Sequence, residues 1–152
     1  MNSLLHVALV AAGLTVLPVA ADAQGGGNLA AGPPLDLFLV VTTGKDKGPV
    51  LSAGEFQLVT GKYYRFNFNC PDADDDATGF RLEVTDLLAN SHLRVVSVGD
   101  IEIHLQGQTF RAIECDEIGS ARFSFVPIRP GTYDLFVRNH TNQSVHGKFI
   151  VK

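Results

Sequence analysis

The stretch that decides the fold runs from residue 123 to residue 151 and reads FSFVPIRPGTYDLFVRNHTNQSVHGKFIV. Apolar residues recur at every second position, first at Phe123 and Phe125 and then at Tyr133, Leu135 and Val137. Such alternation is typical of strands that bury one face. A Pro-Gly pair separates the first two segments, and a polar loop precedes the last one. The stretch therefore predicts strand, turn, strand, loop and strand.

The rest of the chain repeats this pattern of short strands. The clearest is segment 63–70, in which Tyr64, Phe66, Phe68 and Cys70 share one face. Strands of about four to eight residues, with turn signals roughly every ten residues, are typical of an all-β sandwich or barrel. A helical turn is expected only at 86–91, because no segment keeps a helical period over three turns.

The N-terminal residues predict export. An apolar run from Leu4 to Leu17 precedes an Ala-Asp-Ala cleavage pattern, so residues 1–23 are predicted to be a signal peptide. Residues 24–34 are rich in Gly, Ala and Pro and predict a flexible leader. One domain, 35–152, follows. We expect a periplasmic or secreted protein with no membrane span in its mature chain, because no other stretch is long and apolar enough.

Composition excludes some function classes. Twelve basic and 16 acidic residues give a formal charge of −4, which does not fit a nucleic-acid-binding surface. Ten Phe and no Trp suit a Phe-rich core. No nucleophile with an adjacent base and no catalytic pair of carboxylates is recognisable, so we expect that the protein is not an enzyme.

The closing stretch resembles the C-terminal copper loop of the cupredoxins. A Gly-Thr-Tyr strand, a loop with His140 and a closing Gly-Lys-Phe-Ile-Val strand carry the resemblance. The Gly-Lys turn before the aromatic segment 63–70 is similar to the way cupredoxins begin. The resemblance implies a cupredoxin-like Greek-key β-sandwich of about seven to nine strands. The chain is also similar to cupredoxin-like domains of periplasmic metal-uptake proteins.

The same resemblance argues against a blue-copper centre. Such a centre needs a thiolate, two imidazoles and a weak thioether. Of these ligands only one imidazole has a counterpart, His140, whereas the thiolate falls on Val137 and the thioether on Val145. The second imidazole falls near Phe80. Valine cannot supply a thiolate, so we expect no blue-copper electron transfer.

The remaining histidines leave two functions open. Imidazoles bind Cu(II), Zn(II) and other divalent ions, and we predict His140, His146 and His104 as metal ligands. The predicted function is then an exported cupredoxin-like binding protein that handles copper or another transition metal. The alternative is that these are surface or partly buried histidines without a metal role. The protein would then be a metal-free sandwich that acts as an interaction or accessory subunit for a periplasmic protein partner.

The acidic loop permits a calcium hypothesis. Asp72, Asp74, Asp76 and Glu83 match positions 1, 3, 5 and 12 of a calcium loop. Ala77, however, replaces the Gly that the sharp turn needs, and the flanking segments predict strands rather than helices. A solvated acidic turn is the simpler interpretation.

Two cysteines in an exported chain favour a disulfide. The cupredoxin topology implies that the strand ending at Cys70 runs antiparallel to the one starting near Ala121, which brings Cys115 close to Cys70. We predict that these two cysteines are bonded. The alternative is that Cys115 is a thiol ligand beside His104.

Overall fold

The computed structural model describes residues 32–73, 79–99, 101–106 and 109–152. The predicted signal peptide and most of the predicted leader lie outside these ranges. The described residues form eleven strands and one short helix. The elements are β1 Leu35–Thr43, β2 Pro49–Leu51, β3 Glu55–Leu58, β4 Tyr64–Cys70, β5 Phe80–Glu83, α1 Thr85–Ala89, β6 Ser91–Val98, β7 Glu102–Gln106, β8 Thr109–Cys115, β9 Gly119–Pro127, β10 Gly131–Asn139 and β11 Ser144–Val151.

The strands form two mixed sheets, which confirms the predicted all-β sandwich. The five-stranded sheet has the order β2-β1-β4-β9-β6, and the six-stranded sheet has the order β3-β11-β10-β5-β8-β7. The strands outnumber the seven to nine that the resemblance implied, because β2 and β3 add a short strand at one edge of each sheet. The expected helical turn is α1. No helix in the described ranges is long and apolar enough to cross a membrane.

The core lies between the sheets and is built around β4. The predicted apolar face of this strand is buried from Tyr64 to Cys70. The ring of Phe66 lies 5.4 Å from that of Phe56, 5.3 Å from Phe123 and 5.5 Å from Phe149, measured between centroids. Pairs of aromatic rings at these separations stabilise the fold by more than the burial of their apolar surface alone. The Phe-rich composition is therefore explained by one aromatic cluster that joins both sheets.

A disulfide ties the two sheets together. Cys70 ends β4 in the five-stranded sheet, Cys115 ends β8 in the six-stranded sheet, and the two are bonded as predicted. Both residues are fully buried, and the described residues include no free cysteine. The alternative in which Cys115 is a thiol ligand is therefore wrong for this structure. A bridge across 45 residues stabilises the fold by about 4 kcal/mol in the chain-entropy description.

The β10–β11 hairpin closes the six-stranded sheet. Gly131 pairs with Val151 at one end, and Arg138 pairs with Ser144 at the other. β11 also runs parallel to β3, and a Cβ at Gly147 would lie 2.8 Å from the carbonyl oxygen of Gly54. Glycine is therefore required at position 147, since any side chain would push β11 away from this backbone.

Candidate metal site

A short loop after β10 carries His140, and Asn139 fixes its shape. The side chain of Asn139 is buried, and its Oδ1 accepts hydrogen bonds from the backbone N–H groups of Thr141 and Gln143, at 3.1 and 2.9 Å. Its Nδ2 donates to the carbonyl oxygen of Lys47 at 2.9 Å. Asn142 takes a left-handed conformation with φ of 65°, which asparagine tolerates. The loop is thus held by the strand end that precedes it.

The end of β8 supplies two carboxylates. Cys115 points into the core to reach its disulfide partner, so its neighbours Glu114 and Asp116 face the other way. β5 lies between β8 and β10, and its Phe80 is paired with Cys115 on one side and with Asn139 on the other. This register brings the two carboxylates to the same rim of the sandwich as His140.

Three ligand atoms meet at this rim. The Nε2 atom of His140 lies 3.3 Å from Oε1 of Glu114 and 3.2 Å from Oδ1 of Asp116, and all three atoms fall within 4.8 Å of one another. Around a tetrahedral ion with ligand bonds of about 2.0 to 2.1 Å, neighbouring ligand atoms are about 3.3 Å apart. The two separations from the imidazole nitrogen therefore match those of ligands on a single transition-metal ion, and the two carboxylate oxygens lie within 4.8 Å of each other.

Gly79 allows the imidazole to take this position. A Cβ at Gly79 would lie 2.7 Å from Cε1 and 3.0 Å from Nε2 of His140, and 3.1 Å from the carbonyl oxygen of Cys115. A real Cβ does not approach other atoms so closely, so a larger residue would displace the ring. Gly79 is a positioning residue that the sequence analysis did not identify.

Arginines surround the carboxylates. Arg81 donates from Nη1 to Oε2 of Glu114 at 3.2 Å and from Nε to Glu83 at 3.1 Å. Arg138 donates to the same Glu83 oxygen at 2.8 Å. A cavity of about 470 Å³ lies at this rim. Its lining residues are Arg81, Glu114, Arg138, Asn139, His140 and Asn142. Because Oε2 of Glu114 is held by Arg81, its Oε1 is oriented towards His140.

The other predicted ligands are not brought to this cluster. His146 is exposed on β11, where it pairs with Phe136, and its ring lies 4.5 Å from the phenyl ring. His104 pairs with Ala112 through the β7 backbone, and its side chain lies outside the described part of the chain. Among the described residues, Glu114, Asp116 and His140 form the one group of three possible ligands. The role of His146 and His104 as ligands stays a prediction.

The positions at which the resemblance places the missing copper ligands are apolar core. Val137 and Phe80 are fully buried, and Val145, which pairs with Val137, packs against the core. No thiolate stands beside His140, since both cysteines are in the disulfide. The side chains at these positions therefore belong to the packing of the core.

Two of the four calcium-loop positions are engaged elsewhere. Asp72 accepts a hydrogen bond from the backbone N–H of Thr43 at 2.9 Å, and Glu83 is paired with Arg81 and Arg138. Asp74 and Asp76 lie outside the described residues. In the described part of the chain, Asp72 and Glu83 form no common group of metal ligands.

Comparisons with known proteins give structural likeness alone. The sequence matches no protein-family model. A comparison with curated proteins also found no match. Solved structures with a similar backbone include auracyanin B, at 13% identity and a TM-score of 0.47, with 84% of this chain and 96% of that chain covered. The McoA multicopper oxidase from the hyperthermophile Aquifex aeolicus is similar at 8% identity and a TM-score of 0.48, with 90% of this chain and 31% of that chain covered.

A multi-copper oxidase from Pseudomonas thermotolerans is also similar, at 10% identity and a TM-score of 0.47. The match covers 78% of this chain and 30% of that chain. This chain thus spans about a third of the length of either oxidase.

Proposed function

We propose that this chain is an exported, cupredoxin-like β-sandwich that binds one divalent transition-metal ion through Glu114, Asp116 and His140. The observation that carries the proposal is that one imidazole nitrogen lies 3.3 and 3.2 Å from two carboxylate oxygens at one rim. Imidazole with carboxylate suits borderline ions, among which Cu(II) binds most tightly in the Irving–Williams order. Copper is therefore the proposed metal.

The charge of the surroundings supports a cation at this rim. Glu83, Glu114 and Asp116 contribute three carboxylates, against the two guanidinium groups of Arg81 and Arg138. With a neutral imidazole the cluster has one negative charge in excess, which a divalent ion more than neutralises. The side chains of Asp116 and His140 are also partly exposed, so that waters can complete the coordination.

The proposed protein binds metal without transferring electrons. Neither of its cysteines is free to provide the thiolate on which blue-copper chemistry depends. Export is supported by the predicted signal peptide and by the disulfide, because such bonds persist in oxidising compartments. The role is that of a metal-binding protein in the periplasm or outside the cell.

Calorimetric titration with Cu(II) and Zn(II) tests the proposal. His140→Ala, Glu114→Gln and Asp116→Asn each remove one ligand, and we expect each to weaken binding by about 100-fold or more, since even outer-shell changes cost about 10- to 100-fold. His146→Ala is the matched control, because it removes an exposed histidine of the same hairpin. Equal, weak isotherms for wild type and all variants would contradict the proposal and favour the metal-free accessory subunit.

A further inference from the structure

The outer face of the five-stranded sheet has a second cavity, of about 290 Å³. It is lined by Tyr63, Arg65, Val95, Ser97, Arg122 and Ser124. The strand register explains the grouping. Arg65, Ser124 and Val95 form one row across β4, β9 and β6, and Arg122 pairs with Ser97 in the next row. The side chains of such rows point to one face of a sheet, here the face away from the core.

Arg65 is held rigidly at one side of this cavity. It donates two hydrogen bonds to the carboxylate of Asp36, at 2.5 and 2.6 Å, and Asn67 donates a third to Asp36 at 2.9 Å. These bonds, with the positive charges of Arg65 and Arg122, lower the pKa of Asp36 to about 2. Asp36 is therefore ionised in all ordinary conditions and keeps the guanidinium of Arg65 in place.

Two further arginines form no salt bridge with a carboxylate in the described ranges, although the charge of Arg122 acts on Asp36. Arg122 is exposed and lies in the cavity wall. The guanidinium of Arg94 lies 5.9 Å from the ring centroid of Tyr63, a residue of the cavity wall, in a cation–π contact. In the cavity wall and the residues that contact it, three guanidinium groups against the single carboxylate of Asp36 leave two positive charges in excess, on a protein whose net charge is negative.

Ser124 adds a neutral hydrogen-bond donor. It is 5% exposed and its Oγ accepts a hydrogen bond from the hydroxyl of Tyr63 at 3.0 Å. The proton of Ser124 is used in no hydrogen bond among the described residues. A hydroxyl group donates once, so Ser124 has one donor left for a ligand. Its cross-strand neighbour Val95 supplies apolar surface on the β6 side.

We propose that this cavity binds a phosphate monoester whose organic group contacts Tyr63 and Val95. A dianionic phosphate matches the two excess positive charges, and its oxygens accept hydrogen bonds from Arg122, Arg94 and Ser124. The site lies on the outer face of the five-stranded sheet, whereas the candidate metal site lies at a rim of the six-stranded sheet. The two proposals are therefore independent.

Titration of the oxidised protein with phenyl phosphate, followed by NMR, tests this proposal. We expect saturable shifts at Tyr63 and Val95, and at least tenfold weaker binding in Arg122→Gln and Arg94→Gln. Arg129→Gln is the matched control, because it removes the same charge from an exposed site at the β9–β10 turn, and we expect it to bind as wild type does. The proposal would be overturned if the NMR shifts of the wild type did not saturate with phenyl phosphate. It would also be overturned if Arg122→Gln and Arg129→Gln lost the same affinity for phenyl phosphate.

Two further ligands define the chemistry. Inorganic phosphate should bind more weakly than phenyl phosphate, because it lacks the ring, and benzoate should bind more weakly because it has a single negative charge. Benzoate binding as tightly as phenyl phosphate would overturn the assignment to phosphate. Inorganic phosphate binding as tightly as phenyl phosphate would overturn the role of the organic group.

Discussion

The Nε2 atom of His140 lies 3.3 Å from Oε1 of Glu114, although these residues belong to opposite sides of β5. Phe80 of β5 pairs with Asn139 and with Cys115, so the residues next to these partners meet at one rim. The contact is thus set by sheet register and not by closeness in sequence. Changes that disturb the register or the loop should alter metal binding even when all three ligands are kept.

Gly79→Ala should weaken metal binding without removing a ligand. The new methyl group would lie 2.7 Å from the His140 ring, and the ring must move away from Glu114. We expect a loss of affinity of about 10- to 100-fold, as for outer-shell changes, with little change in the melting temperature. Gly54→Ala is the control, since its Cβ meets no atom within 4 Å. Calorimetry with Cu(II) should separate the two variants, and equal affinities would refute the positioning role.

Asn139→Ala should destabilise the fold. Asn139 is buried, and the substitution leaves the N–H groups of Thr141 and Gln143 without their shared acceptor. The expected loss in the free energy of unfolding is about 1 to 3 kcal/mol. Asn69, half-buried on the outer face of β4, provides a control of the same chemistry in Asn69→Ala. Chemical denaturation measures the free energy of unfolding of both variants. If Asn139→Ala lost no more of this free energy than Asn69→Ala, the role of the buried amide would be contradicted.

Loss of the disulfide should affect both stability and metal affinity. The paired variant Cys70→Ala/Cys115→Ala should lower the free energy of unfolding by about 2 to 5 kcal/mol. At about 4 °C per kcal/mol for a domain of this size, this loss corresponds to a fall of roughly 8 to 20 °C in melting temperature. Because Cys115 lies between Glu114 and Asp116, metal affinity should fall as well. Calorimetry of the variant at a temperature where it is folded checks this, and thiols that react freely in the oxidised wild type would exclude the bridge.

The ion pair of Asp36 and Arg65 should give the protein an acid-dependent stability. Hydrogen bonds from Arg65 and Asn67 lower the pKa of Asp36 from 3.8 to about 2. The unfolded chain binds the proton first, so the contribution of this group is complete above about pH 4 and is lost as pH falls towards 2. Asp36→Asn should therefore flatten the acid limb of the curve of unfolding free energy against pH.

NMR titration of the Asp36 carboxyl group measures the pKa of Asp36 directly. In wild type its midpoint should lie near 2. Arg65→Gln removes the largest cause of the shift and should return the pKa towards its ordinary value. A midpoint near 3.8 in wild type would show that the pair does not form in solution.

Alternation in the sequence was enough to predict the strands. The buried face of β4, from Tyr64 to Cys70, follows from side chains that point alternately to the two faces of a sheet. The bridge between Cys70 and Cys115 was predicted from an implied antiparallel pairing, and β4 does pair with β9 in that way. Local pattern and an assumed topology thus sufficed for the sandwich and its disulfide.

The candidate site could be predicted only in part. His140 was identified from the closing loop, but its neighbours Glu114 and Asp116 come from β8, and no local pattern indicates which strand end lies beside that loop. The ring of His146 contacts Phe136, and its role as a ligand stays a prediction. One signal was available: Glu114 and Asp116 flank a cysteine expected in the core, so alternation directs both carboxylates outward.

The central claim is that His140, with Glu114 and Asp116, binds a metal ion. The most direct measurement is the ¹⁵N chemical shift of each imidazole nitrogen as Zn(II) is added to the mature, oxidised protein. We predict that the ¹⁵N shift of Nε2 of His140 changes and saturates at one equivalent of Zn(II), while the shifts of both nitrogens of His146 do not change. A saturating shift at His146 with His140 unchanged, or no saturating shift at His140 at all, would contradict the account.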